Sequence, residues 1–257
     1  GQIFVRIQAL NNMQSSVVTA WIGAILYTLQ IYYDFSGYSD MAIGLGRMFG
    51  FRFPQNFNYP YIAASITDFW RRWHMTLGTW FREYVYIPLG GNRVTTAKHI
   101  RNLLIVWGLT GVWHGAGINF LLWGLYYGVL LIIEKYLIGG FLNKHKVIGH
   151  AFTLIAVVIG WMLFANTSFA SLGQYFGMMF GIGGVSFFNA TAGYFLRTSI
   201  VLLVLGVLFS TPIMHQLGEQ IFVRYPKVSV AVRVFLFFLC IAALVYQTYN
   251  PFLYFRF

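Results

Sequence analysis

Two histidines stand out in this chain because the residues around them are aromatic and apolar. His74 ends the string FWRRWH, and His114 lies within GVWHGAG. An ionisable side chain inside a membrane-like segment is costly and by default marks a functional site. Because imidazole transfers protons near neutral pH, we expect His74 and His114 to serve in general acid–base chemistry.

Small residues distinguish the surroundings of His114. On a continuous helix, Gly111, Gly115 and Gly117 would leave open volume beside the imidazole. A glycine-rich break in a membrane helix is tolerated only where protein or a cavity covers the backbone. The alternative interpretation is a structural histidine that is tightly packed and hydrogen-bonded.

A capping-box pattern predicts that a helix begins at Ser65 and continues through His74. Asp68 follows Ser65 by three residues, and Asp68 and Arg72 have the spacing of an i,i+4 ion pair. Gly78, one helical turn after His74, would leave space below the ring. The alternative interpretation is an amphipathic interfacial helix whose histidine contacts lipid headgroups.

Further candidates for the site are two acids and four residues near the histidines. Asp34 and Asp40 either orient a histidine or pair with Arg47 or Arg52. We expect the other four to bind or orient substrate. These four are Arg71, Trp73, Trp113 and Asn119. With one cysteine and no His-x-x-x-His pair, the sequence indicates no metal site.

The composition is that of a membrane protein. Hydrophobic residues make up 58% of the 257 residues and charged residues 9%, against about 25% charged residues in soluble domains. The 26 Phe, 17 Tyr and 8 Trp are typical of aromatic membrane interfaces. We therefore predict an all-α, multi-pass helical protein that forms a single membrane domain over residues 1–257.

Five apolar stretches approach the roughly 20 residues that a spanning helix needs. One of them, residues 102–136, carries His114 and is interrupted at 113–117. Residues 51–93 carry His74 and are aromatic but contain acids and arginines, so we expect an interfacial or re-entrant segment. The five stretches are residues 17–33, 102–136, 150–165, 194–210 and 232–249.

Basic residues flank the interrupted stretch on both sides. The positive-inside rule predicts that both of its ends face the cytoplasm, which places His114 near the turn within the membrane. The net charge of +11 is spread over connecting segments and helix ends, so it does not indicate nucleic-acid binding. The flanking residues are Arg93, Lys98 and Arg101 before the stretch and Lys135, Lys144 and Lys146 at its end.

Glycines recur at every fourth position in two places. One series is Gly124 and Gly128, and the other is Gly173, Gly177 and Gly181. Both series predict close packing between membrane helices, because small residues let two backbones approach.

Six strings together resemble the membrane-bound O-acyltransferase family, and in particular its alginate and peptidoglycan O-acetyltransferase branch. The resemblance is strongest over residues 33–128. The strings are YDFSGYSDMAIG (residues 33–44), FNYPY (57–61), FWRRWH (69–74), YIPLGGNR (86–93), WHG (113–115) and PFLYF (251–255).

The resemblance implies helices around a tunnel, with His114 as the family's essential histidine and His74 as its second histidine. It implies acetyl transfer from acetyl-CoA or another acyl thioester, without a bound cofactor, to a hydroxyl of an extracytoplasmic polysaccharide. It also implies a multi-pass protein of the bacterial inner membrane with a periplasmic acetyltransferase-like or esterase-like partner. Because family members usually carry more helices upstream, we expect the chain to be the C-terminal part of such a protein.

Other functions remain open from the sequence. The related D-alanyl transferases of teichoic acids share both histidines, although they usually lack the string at residues 86–93. A histidine-dependent transporter would show matching interrupted helices in two halves. A non-catalytic docking subunit would bind periplasmic proteins through the loop at residues 167–193, which we expect to face outward because residues 151–196 carry no charge. The sequence contains no Gly-x-Ser-x-Gly elbow and no phosphate-binding loop.

Overall fold

A computed structural model of the protein describes residues 2–246, and the regular elements in that range are helices. This confirms the predicted all-α fold. The string at residues 251–255 lies outside the described residues. The α-helices are α1 (Gln2–Gln8), α2 (Val17–Met48), α3 (Ile66–Arg72), α4 (Met75–Phe81), α5 (Thr96–His114), α6 (Ile118–Ile133), α7 (Gly139–Lys144), α8 (Lys146–Ala165), α9 (Phe169–Met179), α10 (Ala190–Phe209), α11 (Pro212–Arg224) and α12 (Pro226–Tyr246).

Three shorter helical segments connect these elements. A 3₁₀ turn at Pro60–Ile62 precedes α3. A π-helical segment, Arg82–Tyr86, prolongs α4, and a second one, Glu134–Ile138, joins α6 to α7 without a break. As a result, α6 and α7 form one continuous helical unit.

Four helical stretches are long and apolar enough to cross a membrane, so the protein is a multi-pass membrane protein. They are Ile118–Lys144, Lys146–Ala165, Ala190–Phe209 and Pro226–Val245. The expected span at residues 17–33 is not one of them, because tyrosines and Gln30 lower the hydropathy of α2. The expected stretch at 102–136 is divided between two helices. The last expected span, 232–249, extends beyond the described residues.

Helix α2 runs through the centre of the fold and packs against α1, α8, α9 and α10. Tyrosine and tryptophan side chains fix its position through hydrogen bonds to backbone carbonyls. The hydroxyl of Tyr175 donates to the carbonyl oxygen of Ala20 at 2.8 Å, and that of Tyr61 donates to Thr28 at 2.6 Å. Because both bonds are buried, α2 is a fixed reference for the elements that carry the histidines.

Helices α5 and α6 form an antiparallel hairpin in which glycines bring the two backbones together. A Cβ added at Gly111 would lie 2.5 Å from the carbonyl oxygen of Phe120, and one at Gly124 would collide with the carbonyl of Trp107. Gly128 also lies against Trp107. The close packing predicted for Gly124 and Gly128 is therefore confirmed.

The second glycine series does not pack in this way. A Cβ at Gly173 would meet no atom within 4 Å, and Gly181 lies after the end of α9 with φ +71°. The series spans a helix end, so its members do not form a continuous helix face. The prediction of close packing at Gly173, Gly177 and Gly181 is wrong for this reason.

Substitution of Gly124 by alanine tests the hairpin contact. We expect Gly124→Ala to destabilise the protein by about 1–3 kcal/mol, because overpacking forces the two helices apart. The matched control, Gly173→Ala, places the same methyl group in open space and should not lower stability. Thermal unfolding of both variants in one detergent measures the difference, and equal melting temperatures would contradict this packing.

Candidate active site

His74 lies at a break between two helices and not inside one. Helix α3 begins at Ile66 with the Ser65 side chain as its N-cap, as predicted, but it ends at Arg72. Trp73 is extended, and His74 is left-handed with φ 45° and ψ 53° before α4 begins at Met75. The prediction of one helix through His74 is wrong. A non-glycine residue in this conformation costs about 1–3 kcal/mol, and such strain is concentrated at functional sites.

Trp73 supplies the packing that supports this break. Its indole is only 4% exposed and its ring centroid lies 4.8 Å from that of Trp161 and 5.0 Å from that of Phe57. With Trp73 buried in the core, the next residue is directed to the other side of the chain. His74 lies at the edge of the core, with its ring edge-on to the buried Phe35 at 4.7 Å.

His114 is the last residue of α5, and Gly115 ends the helix with φ 147°. The ring of His114 packs 4.9 Å from Trp123 and 5.3 Å from Phe164, measured between centroids. The expected open volume beside the imidazole is present, because His114 lines a cavity. Gly115 and Gly117 do not supply it, because the Phe120 ring lies against both glycines. Among the described residues, neither nitrogen of His114 has a hydrogen-bond partner.

Both histidines line one cavity of about 710 Å³. Trp113 links them, since its ring centroid lies 5.9 Å from that of His74 and 4.9 Å from that of His114. Residues of α3, α4 and the π-helical segment after α4 form one wall of the cavity, and α5 forms the other. The α5 residues that line it, spaced as one helix face, are His99, Leu103, Val106, Trp107, Thr110 and His114.

The cavity is long and has chemically different ends. At about 1.5 Å of rise per residue, His99 and His114 are about 22 Å apart along α5. The His99 end is held by two hydroxyls, with Tyr86 at 2.8 Å from Nε2 and Tyr136 at 2.6 Å from Nδ1. The contact between His99 and Tyr136 also places the basic residues before α5 and those after α6 at one end of the hairpin.

The charges on the cavity wall are positive. Arg71, Arg82 and Lys135 line the cavity, and no carboxylate is among its lining residues. Within residues 2–246 the ion pair is Arg72 with Asp68, whose Nε and Oδ1 atoms are 3.0 Å apart as predicted. The three cavity cations are therefore available to a negatively charged ligand.

The structure separates the remaining candidates into two groups. Arg71 and Trp73 line the cavity with the histidines, and Trp113 lies beside both rings. Asp34 and Asp40 do not line it. Asp34 accepts a hydrogen bond from Gln30 at 3.4 Å, and Asp40 is exposed.

Asn119 has a structural task outside the cavity. It is buried, and its Nδ2 donates to the carbonyl oxygen of Phe164 at 2.9 Å. This bond ties the start of α6 to the end of α8, next to the break after His114. Through this contact Asn119 supports the helix break after His114. We expected Asn119 to bind or orient substrate, which is a different role.

Two residues that hold the site have no motif of their own. Asn56 bonds to His74 through its side chain, although 18 residues separate them. Glu134 accepts hydrogen bonds from the backbone nitrogens of Ile66 at 2.6 Å and Thr67 at 3.1 Å, at the start of α3. Only Glu134 carries a sequence signal, because an acid in an apolar stretch is costly and by default functional.

Removal of the Glu134 carboxylate tests whether it holds α3 in place. We expect Glu134→Leu to destabilise the protein by a few kcal/mol, since each backbone N–H left without an acceptor costs about 1–3 kcal/mol. The matched control is Glu219→Leu on the exposed face of α11. A melting temperature for Glu134→Leu as high as that of the control would contradict the assigned role.

The sequence matches one family model and several curated relatives. Residues 2–173 match the model of the membrane-bound O-acyltransferase family. A probable alginate O-acetylase of Pseudomonas putida is 39% identical over 93% of the chain and 53% of its own length. A peptidoglycan O-acetyltransferase of Helicobacter pylori is 42% identical over 66% of the chain and 33% of its own length.

A match over a shorter part of the chain is to a protein named for another acyl group. A teichoic acid D-alanyltransferase of Bacillus subtilis is 39% identical over 41% of the chain and 28% of its own length. The chain spans about half the length, or less, of the curated relatives it matches.

Proposed function

Because the chain belongs to the membrane-bound O-acyltransferase family, we propose that it transfers an acetyl group from a thioester to a hydroxyl outside the cytoplasm. The observation that supports this reaction is that His74 and His114 line one cavity. A single cavity lets donor and acceptor meet at both imidazoles, and such positioning lowers the barrier of a two-substrate reaction.

His114 is the general base in this proposal. Its imidazole takes the proton of the acceptor hydroxyl as the oxygen attacks the thioester carbonyl carbon. A C–O bond forms, the C–S bond breaks, and the imidazolium returns the proton to the departing thiolate. A positioned base contributes about 10²–10⁴-fold to the rate. The aromatic rings around His114 keep out water, which would otherwise hydrolyse the donor.

The cationic part of the cavity fits a donor that carries phosphate groups, such as acetyl-CoA. Arg82 and Lys135 line the cavity and are near Tyr86 and Tyr136 in the chain, the two tyrosines that bond to His99. His99 is about 22 Å from His114 along α5. Guanidinium and ammonium groups bind phosphate well when no carboxylate competes. The donor then extends along α5 with its acyl group between the two histidines. No bound cofactor is required.

The acceptor in this proposal is a hydroxyl of a cell-envelope polysaccharide or of an exopolysaccharide. Alternatively, the acceptor is a periplasmic relay protein that passes the acetyl group on to the polysaccharide. We favour acetyl over D-alanyl because the O-acetylase matches cover 93% and 66% of the chain and the D-alanyltransferase match covers 41%. The protein lies in a bacterial inner membrane in this proposal, and the basic ends of the α5–α6 hairpin face the cytoplasm. The donor therefore enters the cavity from the cytoplasmic side.

Histidine substitutions in cells test the reaction. In cells that make the full-length protein, we expect His114→Ala to reduce polysaccharide ester content by about 100-fold or more, as loss of a general base does. His74→Ala should cause a severe loss as well. The matched control is His215→Ala on the exposed face of α11, which should keep normal ester content. Undiminished esters in the His114→Ala cells would remove His114 from the mechanism.

Purified protein separates the alternative functions. Transfer of label from acetyl-CoA to the polymer supports the proposal, and transfer of D-alanyl but not acetyl groups identifies a D-alanyl transferase. Solute flux without transfer indicates a transporter. Binding of a periplasmic protein without transfer indicates a docking subunit.

A further inference from the structure

Asn56 connects His74 to the rest of the protein through one amide group. Asn56 is buried, with 9% of its surface exposed. Its Oδ1 lies 3.1 Å from Nδ1 of His74, 2.9 Å from the hydroxyl of Thr76 and 3.3 Å from the backbone nitrogen of Thr76. Its Nδ2 donates to the hydroxyl of Ser39 on α2 at 3.0 Å.

The orientation of this amide follows from its neighbours. The backbone nitrogen of Thr76 can only donate a hydrogen bond, so the amide atom that faces it must be the oxygen. The amide nitrogen then points at Ser39, whose hydroxyl accepts. A flipped amide would place two donors against each other at Thr76. The oxygen of Asn56 is therefore the group that faces His74.

The protonation of the His74 ring follows in turn. The Thr76 hydroxyl also lies 3.5 Å from Nδ1, but its hydrogen is donated to Oδ1 of Asn56 at 2.9 Å. Both oxygens next to Nδ1 therefore act as acceptors towards the ring, so Nδ1 of a neutral His74 carries the proton. The other ring nitrogen, Nε2, then has a lone pair and no hydrogen. In this form His74 can accept a hydrogen bond at Nε2 but cannot donate one there to an oxyanion.

The backbone of the same segment holds the break in place. The carbonyl of Asn56 accepts from the nitrogen of Met75 at 2.9 Å, and the nitrogen of Asn58 donates to the carbonyl of Arg72 at 2.9 Å. These two bonds lie on either side of His74. They satisfy backbone groups that the interrupted helix leaves free, and they fix the left-handed residue between them.

We propose that Asn56 is a positioning residue that fixes His74 as the Nδ1-protonated tautomer, so that Nε2 accepts a hydrogen bond from a polar group of the acceptor other than the attacking hydroxyl. This inference rests on the proposed acyl transfer. His74 thereby orients the acceptor, while His114 takes the proton of the attacking hydroxyl. Stabilisation of the tetrahedral oxyanion falls to other donors.

The tautomer can be measured without any assay of activity. In the detergent-solubilised protein labelled with ¹⁵N-histidine, comparison with His74→Gln identifies the His74 signals. We expect the neutral ring of the unsubstituted protein to carry its proton on Nδ1. Asn56→Leu should lose this preference, and Asn56→Asp, which keeps an acceptor at the same position, should retain it. An Nε2-protonated ring in the unsubstituted protein would overturn the inference.

Turnover provides the second readout. We expect Asn56→Leu to lower kcat for acetyl transfer by about 100-fold, as misplacement of a bound substrate does, with little change in the KM for acetyl-CoA. Asn56→Asp should keep most of the kcat of the unsubstituted protein. The matched control is Asn143→Leu on α7, whose exposed side chain has no hydrogen bond among the described residues. Equal losses in Asn56→Leu and Asn56→Asp would show a merely structural role.

The two measurements separate failure of this inference from failure of the proposed function. If the unsubstituted protein transfers no acyl group, the proposed reaction is wrong. The proposed role of Nε2 in that reaction is then also wrong, whichever ring nitrogen carries the proton. If acyl transfer is observed but the ring is protonated on Nε2, the reaction stands and the inference about Asn56 is overturned.

Discussion

A helix that breaks inside a membrane protein leaves backbone groups that lipid cannot satisfy, and the whole site depends on how two such breaks are satisfied. At His74 the segment from Asn56 to Asn58 pairs with the chain on both sides of the break. At Gly115 the nitrogen bonds back to the carbonyl of Val112, and Asn119 ties the next helix to α8. A histidine lies at each break: His74 immediately precedes α4, and His114 is the last residue of α5. The two breaks together direct both imidazoles into one cavity.

Aromatic packing converts these two local breaks into one site. Trp73 anchors the first break in the core, and Trp123 and Phe164 enclose the ring at the second. Trp113 packs against both imidazoles. Aromatic rings suit this task because they fill space rigidly and keep water away from a reactive thioester. The charged groups that would bind the proposed donor lie at the far end of the cavity, where Lys135 is exposed.

The sequence predicts the features that local spacing determines. The helix start at Ser65, the ion pair of Asp68 with Arg72 and the glycine contact at Gly124 all depend on residues within one or two turns, or on one small residue in an apolar helix. The all-α membrane fold follows from composition. The interruption near His114 was visible because a glycine cluster is a local signal.

The remaining features depend on residues that are distant in the sequence. The break at His74 is held by residues 56–58, and no pattern between residues 65 and 78 reveals this pairing. The same holds for His99, whose two tyrosine partners come from different segments. Asp34 and Asp40 stand out in the sequence because acids are rare, but rarity does not predict whether a side chain on a helix faces the cavity.

An experimental structure of the protein with a thioether analogue of acetyl-CoA, which cannot transfer its acyl group, tests the account most directly. It should show the acyl group between His74 and His114 and the phosphates near Arg82 and Lys135. An analogue bound elsewhere, or a closed wall between the two histidines, would contradict it.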